Sequence, residues 1–297
     1  MTGLRDYVIV TDSVLDIEES WFAENQVQWV PLSFTLEGHP TIEDDFGKTI
    51  PMKEFYQELR DGKNVTTAQG TMGGFCEVFE GILQSGKDAV YVGFSSALSG
   101  SYHSACMAAE ELREKYPEGA IYCVDTKAAA GGQTMLAREA VRCKQEGMPA
   151  DELAKHIEEV RGHLVHWFTV DDLFYLHRGG RVSKSAAGMG SLVGIKPILY
   201  VDDEGRLIPD KKARGRKKSI EELGKQLLRH IDPDQIARYG VSISHGDCEE
   251  DAKMLADWLC KNSPVKKVDI HILDTVIGAH AGPGTLALFF YGDKRGN

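Results

Sequence analysis

Three short apolar runs rich in β-branched residues, each followed by polar side chains, constrain the fold most strongly. They occupy residues 7–10 before Thr11, residues 89–92 before Ser95, and residues 121–124 before Asp125. Continuous apolar runs of this length are typical of strands buried on both faces of a parallel sheet. Helical patterns at 70–83 and 101–115 separate them. Alternating strands and helices predict an α/β domain with a mainly parallel sheet.

The pattern changes after residue 150. A helical pattern at 151–164 leads into strand-like runs, and helical patterns at 220–230 and 249–260 separate some of them. The runs are 167–170, 197–201, 240–244, 268–273 and 286–291. This order predicts a second α/β domain with a mixed sheet. Because 297 residues suit two ordinary domains, we place them at residues 1–157 and 158–297.

Composition narrows the function classes. The chain is 42% hydrophobic and 27% charged, as globular proteins are, and its net charge of −11 argues against general binding to nucleic acids or anionic membranes. Acidic residues appear early, at Asp6 and Asp12, and there is no apolar run of membrane-spanning length, so we expect a cytoplasmic protein. The six cysteines are scattered without a Cys-x-x-Cys pair. They indicate buried thiols rather than a metal site, and we expect no cofactor.

Two hydroxyl-rich segments lie between predicted strands and helices, at residues 66–71 and 95–102. Such hydroxyls often only cap a helix. Ligands of parallel sheets, however, bind beyond the carboxyl ends of the strands, and helix-start amides favour anions. Two segments of this kind in one sheet favour an anion site more strongly than either segment alone.

A catalytic serine has less support. The nucleophile elbow requires the motif Gly-x-Ser-x-Gly. Gly93 and Ser95 match its first glycine and its serine, but Ala97 stands where the second glycine is needed. A hydrolase that uses Ser96 with His280 stays open as an alternative. His280 is a lone histidine in a glycine-rich segment at 277–285, which we interpret as a loop before the last strand. Glycines there allow close backbone approach, so a ligand contact competes with a structural role.

Basic residues stand out in two places of this acidic chain. Arg178 and Arg181 flank a glycine pair, which is either a solvated turn or a phosphate-facing loop, since arginine binds phosphate through two parallel hydrogen bonds. Residues 211–218 carry six positive charges, including Arg214 and Arg216. This run is either a solvated face or a site for a nucleotide or an acidic partner. It contains no aromatic residue, which argues against binding of single-stranded nucleic acid.

Taken together, these segments resemble the DegV family, which includes the fatty-acid-binding subunit (FakB) of bacterial fatty acid kinase. The resemblance covers nearly the whole chain and depends on the order and spacing of its segments. They are Thr11-Asp12-Ser13, Val30-Pro31-Leu32, the Thr67 segment, residues 95–102, residues 178–183, residues 195–199, and Gly278-Ala279-His280 with Gly282-Pro283-Gly284. The family usually has Thr-Ser-Gln-Pro-Ser where this chain has Thr67-Ala68-Gln69-Gly70-Thr71.

The resemblance implies two α/β domains with an acyl chain in a tunnel between them. It implies that Thr67, Ser96 (with its neighbour Ser95) and His280 hold the carboxylate through uncharged donors. The arginines at 178, 181, 214 and 216 would serve the encounter with a kinase or the phosphate transfer.

The expected function is therefore that of a non-catalytic carrier. It would present a long-chain fatty acid to the ATP-binding subunit of a fatty acid kinase, with transient membrane contact and no nucleic-acid partner. No P-loop motif is present in the sequence, so we expect the partner to bring ATP. A lipid-ester hydrolase and a lipid-sensing regulatory protein are the alternatives.

Overall fold

The computed structural model of the chain describes residues 5–183 and 194–295. Its strands are β1 (Tyr7–Asp12), β2 (Gln28–Val30), β3 (Ser33–Leu36), β4 (Thr41–Glu43), β5 (Val65–Ala68), β6 (Asp88–Gly93), β7 (Ile121–Asp125), β8 (Leu164–Thr169), β9 (Ile195–Val201), β10 (Leu207–Arg214), β11 (Val241–His245), β12 (Val268–Ile272) and β13 (Leu286–Tyr291). The helices are α1 (Ser20–Glu24), α2 (Met52–Arg60), α3 (Met72–Gln84), α4 (Ser101–Lys115), α5 (Ala130–Gln145), α6 (Ala150–Val160), α7 (Leu173–Arg178), α8 (Arg216–His230), α9 (Pro233–Tyr239), α10 (Glu249–Asn262) and α11 (Thr275–Ala281).

The first sheet has the order β2-β1-β6-β7, and all of its pairs are parallel. The three apolar runs of the sequence form β1, β6 and β7, so the prediction of a parallel sheet is confirmed. Helices α3 and α4 pack on one face, where Phe79 and Ala108 meet Val10 and Tyr91. Helices α5 and α6 cover the other face. The sheet is therefore buried on both sides, which explains its continuous apolar strands.

The second sheet has the order β10-β9-β8-β13-β11-β12. Its pairs are antiparallel except β11–β12, which confirms the predicted mixed sheet. The chain passes from one sheet to the other between Asp125 and Leu164, through α5 and α6. The predicted domain limit after residue 157 lies within α6, which ends at Val160. This limit stays a prediction, and residues 1–4, 184–193 and 296–297 of the two domains lie outside the described part of the chain.

A third, small antiparallel sheet, β4-β3-β5, was not predicted. It places Thr67 within β5, opposite Phe34 of β3, whereas the sequence suggested a segment leading directly into a helix. The helix start is formed by Thr71 instead, whose Oγ1 accepts a hydrogen bond from the Gly74 amide at 3.1 Å. Strands of three or four residues carry too little periodicity to be detected in a sequence.

Helix α5 lies between the two large sheets and contacts strands of both. Its first turn is tight: a Cβ atom at Gly132 would lie 2.1 Å from Nε2 of His166 on β8. Only glycine lets the helix approach the second sheet so closely. No helix among the described residues is long and apolar enough to cross a membrane.

Candidate functional site

A cavity of about 400 Å³ lies where the two large sheets and the small sheet meet, and we call it the interdomain cavity. Its volume is within the range of about 300–1,000 Å³ for small-molecule sites. Most of its wall is apolar and comes from both halves of the chain. The apolar lining includes Leu32, Ala68, Phe94, Leu98, Ala129, Ala130, Phe168, Leu176, Val201, Leu207, Leu273, Val276, Ile277, Ala281, Ala287 and Phe289.

The lining contains seven polar side chains, of which two are His166 and Thr285; the other five we call the polar end, and they are Thr67, Gln69, Ser99, Arg181 and His280. Short contacts link its members. Thr67 Oγ1 and His280 Nε2 are hydrogen-bonded at 2.8 Å. Arg181 Nε donates to the carbonyl of Leu98, next to Ser99, at 3.0 Å. An apolar cavity that ends in a few convergent polar groups suits an elongated ligand with one polar head.

His280 lies in the last turn of α11, not in a loop as its glycine-rich surroundings indicated. Burial, together with the nearby positive charges of Arg181 and Arg178, lowers the pKa of His280 to about 4. The imidazole is therefore neutral at neutral pH. The neutral imidazole has one N–H and the Thr67 hydroxyl has one O–H, and one of these two donors is used in the hydrogen bond between Thr67 and His280 Nε2. The other donor is left for a ligand anion, and the histidine need not be ionised.

Arg181 changes the expected character of the site. The sequence suggested uncharged donors at the head group and a partner-facing role for this arginine. Its guanidinium instead lines the cavity, and burial lowers its pKa. Because arginine stays protonated at neutral pH, the polar end contains a permanent positive charge.

The two serines predicted for the site do not line the cavity. Ser95 is fully buried and donates to the carbonyl of Gly205 at 3.0 Å. Ser96 is exposed, and its hydroxyl donates to Asp125 Oδ2 at 2.6 Å. Ser99, in the same hydroxyl-rich segment, lines the cavity instead. Since Ser96 is bound to Asp125 and His280 to Thr67, the Ser96–His280 pair that a hydrolase would need is not formed.

The other predicted arginines differ in their surroundings. Arg178 is exposed and stacks over the ring of Tyr175, with its guanidinium carbon 5.1 Å from the ring centroid. Arg214 is exposed at the end of the edge strand β10. Arg216 Nε, by contrast, donates to Asp251 at 2.8 Å, and its Nη1 lies 3.4 Å from Asp171. Arg216 therefore helps to hold its own domain together, while Arg214 is available on the surface.

Three buried carboxylates lie between the domains near the start of α11: Asp16, Asp44 and Asp274. Each has one oxygen without a hydrogen-bond partner among the described residues. Burial raises the pKa of all three groups. Repulsion from Asp44 raises the pKa of Asp16 and Asp274 further, and repulsion from the adjacent Asp45 does so for Asp44. The folded protein therefore retains protons in this cluster at pH values where free aspartic acids are ionised.

Among the described residues, one group has donors arranged as for a metal ion: Glu139, Cys143 and His156, whose ligand atoms lie within 4.8 Å of one another. Arg142 already occupies both oxygens of this carboxylate, at 2.7 and 2.8 Å, and His156 Nε2 lies 2.7 Å from it. Burial would raise the pKa of Glu139, yet these hydrogen bonds bring it to about 2. The Tyr239 hydroxyl at the end of α9 also donates to Glu139, at 3.2 Å, so the group is an ion-pair centre that joins α5, α6 and α9.

Comparison with known proteins supports this architecture. A family model described as "Uncharacterised protein, DegV family" matches residues 6–293. DegV domain-containing protein CPE0026 of Clostridium perfringens is 41% identical over 293 residues, which cover 98% of this chain and 99% of the relative.

Two solved structures are similar over almost their whole length. A DegV family protein from Thermus thermophilus, described for its fatty acid binding, has 29% identity and a TM-score of 0.83, over 97% of this chain and 99% of that one. A stearic acid-binding protein from Eubacterium ventriosum has 25% identity and a TM-score of 0.85, over 96% and 98% of the two chains. With a family model over nearly the full length and a relative at 41% identity, this chain belongs to the DegV family.

Proposed function

We propose that this chain binds one long-chain fatty acid in the interdomain cavity and presents its carboxylate to a partner kinase. The observation that carries the proposal is an apolar cavity that ends at the hydrogen-bonded pair of Thr67 and His280, beside Arg181. The fatty-acid-binding proteins from Thermus thermophilus and Eubacterium ventriosum have the same fold and support this ligand class.

The acyl chain supplies most of the affinity. Burial of one methylene contributes about 0.8 kcal/mol, so about fourteen methylenes contribute roughly 11 kcal/mol before the costs of ordering are subtracted. A bilayer offers the same chain a similar environment. The cavity therefore competes with lipid through its head-group contacts, which is why the polar end matters for extraction of the ligand.

The polar end suits a carboxylate. A buried carboxylate without partners is costly, and it requires hydrogen bonds from the protein. Thr67, Ser99 and neutral His280 offer hydrogen bonds, and Arg181 offers charge. Because two guanidinium donors of Arg181 are already bound to the carbonyls of Leu98 and Gly179, the arginine is held in place before a ligand arrives.

In the proposed reaction, a carboxylate oxygen attacks the γ-phosphoryl group of ATP, which the kinase brings together with magnesium. An acyl phosphate forms and ADP leaves. This chain binds and orients the acid and shields the acyl chain from water. The exposed Arg214 on edge strand β10 gives the kinase a positively charged contact in an otherwise acidic protein.

Native mass spectrometry of the purified protein tests the ligand class, because a retained fatty acid appears as a bound mass that denaturation releases. Addition of a fatty acid kinase ATP-binding subunit, ATP and magnesium to the loaded protein, followed by hydroxylamine trapping of acyl phosphate, tests the presentation.

We expect Arg214→Glu to retain fatty-acid binding and to lose most of the kinase-dependent product. The matched control is Lys267→Glu, which makes the same charge change on a side chain that is 89% exposed, just before β12 at the opposite edge of the sheet. Absence of any fatty-acid mass, with no binding after removal of endogenous lipid, contradicts the ligand class. Equal product from both variants contradicts the role of Arg214.

A further inference from the structure

Gly179 lies against the imidazole of His280 at the polar end. It directly follows α7, a helix that packs against α11, and α11 carries His280. A Cβ atom at Gly179 would lie 2.0 Å from Nδ1 of the ring, 2.8 Å from Cε1 and 3.1 Å from Cγ. These three distances put that position close to the ring plane, near the line along which an Nδ1–H bond would point. In glycine, a hydrogen atom of Cα occupies this direction.

We propose that Gly179 is a positioning residue that holds His280 in the tautomer with its hydrogen on Nε2. A bare Nδ1 accommodates the Cα hydrogen of the glycine, whereas a hydrogen on Nδ1 would collide with it. A neutral imidazole has one hydrogen for its two nitrogens, so exclusion from Nδ1 leaves it on Nε2. The consequence for the ligand rests on the proposed function, whereas the tautomer is a property of the ligand-free protein.

The backbone holds Gly179 in this place from both sides. Its amide donates to the carbonyl of Tyr175 at 3.1 Å, and its carbonyl accepts from Arg181 Nη1. Its φ of −74° and ψ of −8° are ordinary right-handed values, so no turn requires glycine here. Gly180, by contrast, has a φ of +75°, and a Cβ atom there would meet nothing within 4 Å. The backbone of this segment therefore needs the second glycine, and the contact with His280 needs the first.

The tautomer decides which group meets the ligand. Nε2 of His280 lies 2.8 Å from Thr67 Oγ1, so an Nε2–H donates to that oxygen. The hydroxyl hydrogen of Thr67 is then free to donate to a carboxylate. A hydroxyl that accepts one hydrogen bond becomes a stronger donor in the next one. His280 therefore acts through Thr67, and the carboxylate meets the threonine rather than the ring.

The same tautomer leaves the ring without a basic nitrogen that faces the ligand. Nε2 already carries its hydrogen, and Gly179 covers Nδ1. Burial and the charges of Arg181 and Arg178 lower the pKa of His280, so a second ring hydrogen is disfavoured as well. The pair of Thr67 and His280 therefore cannot take a proton from the ligand, and the fatty acid is bound as a carboxylate.

Long-range proton–nitrogen NMR spectra of ligand-free protein labelled with ¹⁵N-histidine test the tautomer at neutral pH. The chain has 10 histidines, and the variant His280→Gln identifies the signals of this one. We expect His280 to show the pattern of a hydrogen on Nε2 and none on Nδ1. A hydrogen on Nδ1, or rapid exchange between the two tautomers, overturns the proposal. This measurement uses the wild type and does not require any variant of Gly179 to fold.

Gly179→Ala tests the positioning role, because the backbone tolerates alanine while the methyl group collides with the ring. We expect fatty-acid binding to weaken about tenfold or more and the Nε2–H pattern to be lost, since a displaced ring no longer orients Thr67. The matched control is Gly162→Ala, whose methyl group would meet nothing within 4 Å, and it should bind as the wild type does. In a His280→Ala background, Gly179→Ala should have little further effect, because the collision is gone.

Wild-type affinity in Gly179→Ala overturns the positioning role. The same holds if Gly179→Ala weakens binding equally in the presence and in the absence of the His280 side chain. Failure of the proposed function gives a different result: the wild type would show the Nε2–H pattern and bind no fatty acid.

Discussion

The polar end makes a sharp prediction about Thr67. Replacing it with valine keeps the branched shape and the strand pairing of β5 but removes the hydroxyl that bonds to His280 Nε2 at 2.8 Å. A hydrogen bond to a charged group contributes about 1.5–3 kcal/mol, and each 1.4 kcal/mol is a factor of ten in affinity. We therefore expect Thr67→Val to weaken fatty-acid binding about 10- to 150-fold.

The acyl chain retains its apolar contacts in this variant, so binding should persist at a lower affinity. The assay is displacement of a fluorescent fatty acid by an unlabelled one from protein freed of endogenous lipid. Thr66→Val is the matched control, because Thr66 is exposed and adjacent strand residues point to opposite faces. We expect it to bind within about twofold of the wild type, because it loses no hydrogen bond with charged character. If the two variants bind equally well, the carboxylate does not lie at the Thr67–His280 pair and the assignment fails.

Three further predictions concern the cavity lining and the buried carboxylates between the domains. Ser99→Ala should weaken fatty-acid binding in the same displacement assay, whereas Ser96→Ala should not, because of these two serines only Ser99 lines the cavity. Weaker binding by Ser96→Ala and unchanged binding by Ser99→Ala would contradict this and favour the assignment that the family resemblance implies. The pKa of His280 is about 4 in the folded protein against about 6.5 when unfolded, so protonation of the unfolded state should cost the ligand-free protein up to about 3 kcal/mol of stability as the pH falls from about 6.5 to 4. In chemical denaturation at several pH values, His280→Gln should flatten this loss, and an unchanged slope would contradict the assigned pKa. The pKa of Asp44 is raised in the folded protein to about 6, so the free energy of unfolding should fall as the pH rises from about 4 to 6. Asp44→Asn should make the free energy of unfolding less dependent on pH in that range. A variant as pH-sensitive as the wild type would contradict this.

The elements that the sequence predicted well are those whose signal is local. Strands β1, β6 and β7 are buried on both faces, so their apolar runs are continuous and easily detected. Strand β13 was predicted with its full bounds, since all six of its residues are buried. Helix α4 was also predicted with its full bounds. In each case the pattern reflects burial of the element itself and depends little on its neighbours.

The small sheet and α11 were missed for the opposite reason. Strands β3, β4 and β5 have only three or four residues, and none of them is buried along its whole length. Helix α11 contains Gly278 within a glycine-rich segment that favours a loop by composition. A Cβ atom at Gly278 would lie 2.5 Å from the hydroxyl of Tyr56, so that glycine is required by a distant contact and not by a turn.

The choice among hydroxyls shows most clearly what tertiary structure adds. The sequence by itself determined that a hydroxyl-rich segment follows β6, that Thr67 and His280 are candidate ligands, and that the chain resembles one family along its length. Parallel pairing of β6 with β7 then places Asp125 beside Gly93, and the carboxylate binds Ser96. That leaves Ser99 to line the cavity. Which serine faces the ligand depends on partners about 30 residues away in the chain, and a local pattern carries no information about such partners because they are set by how the strands pair.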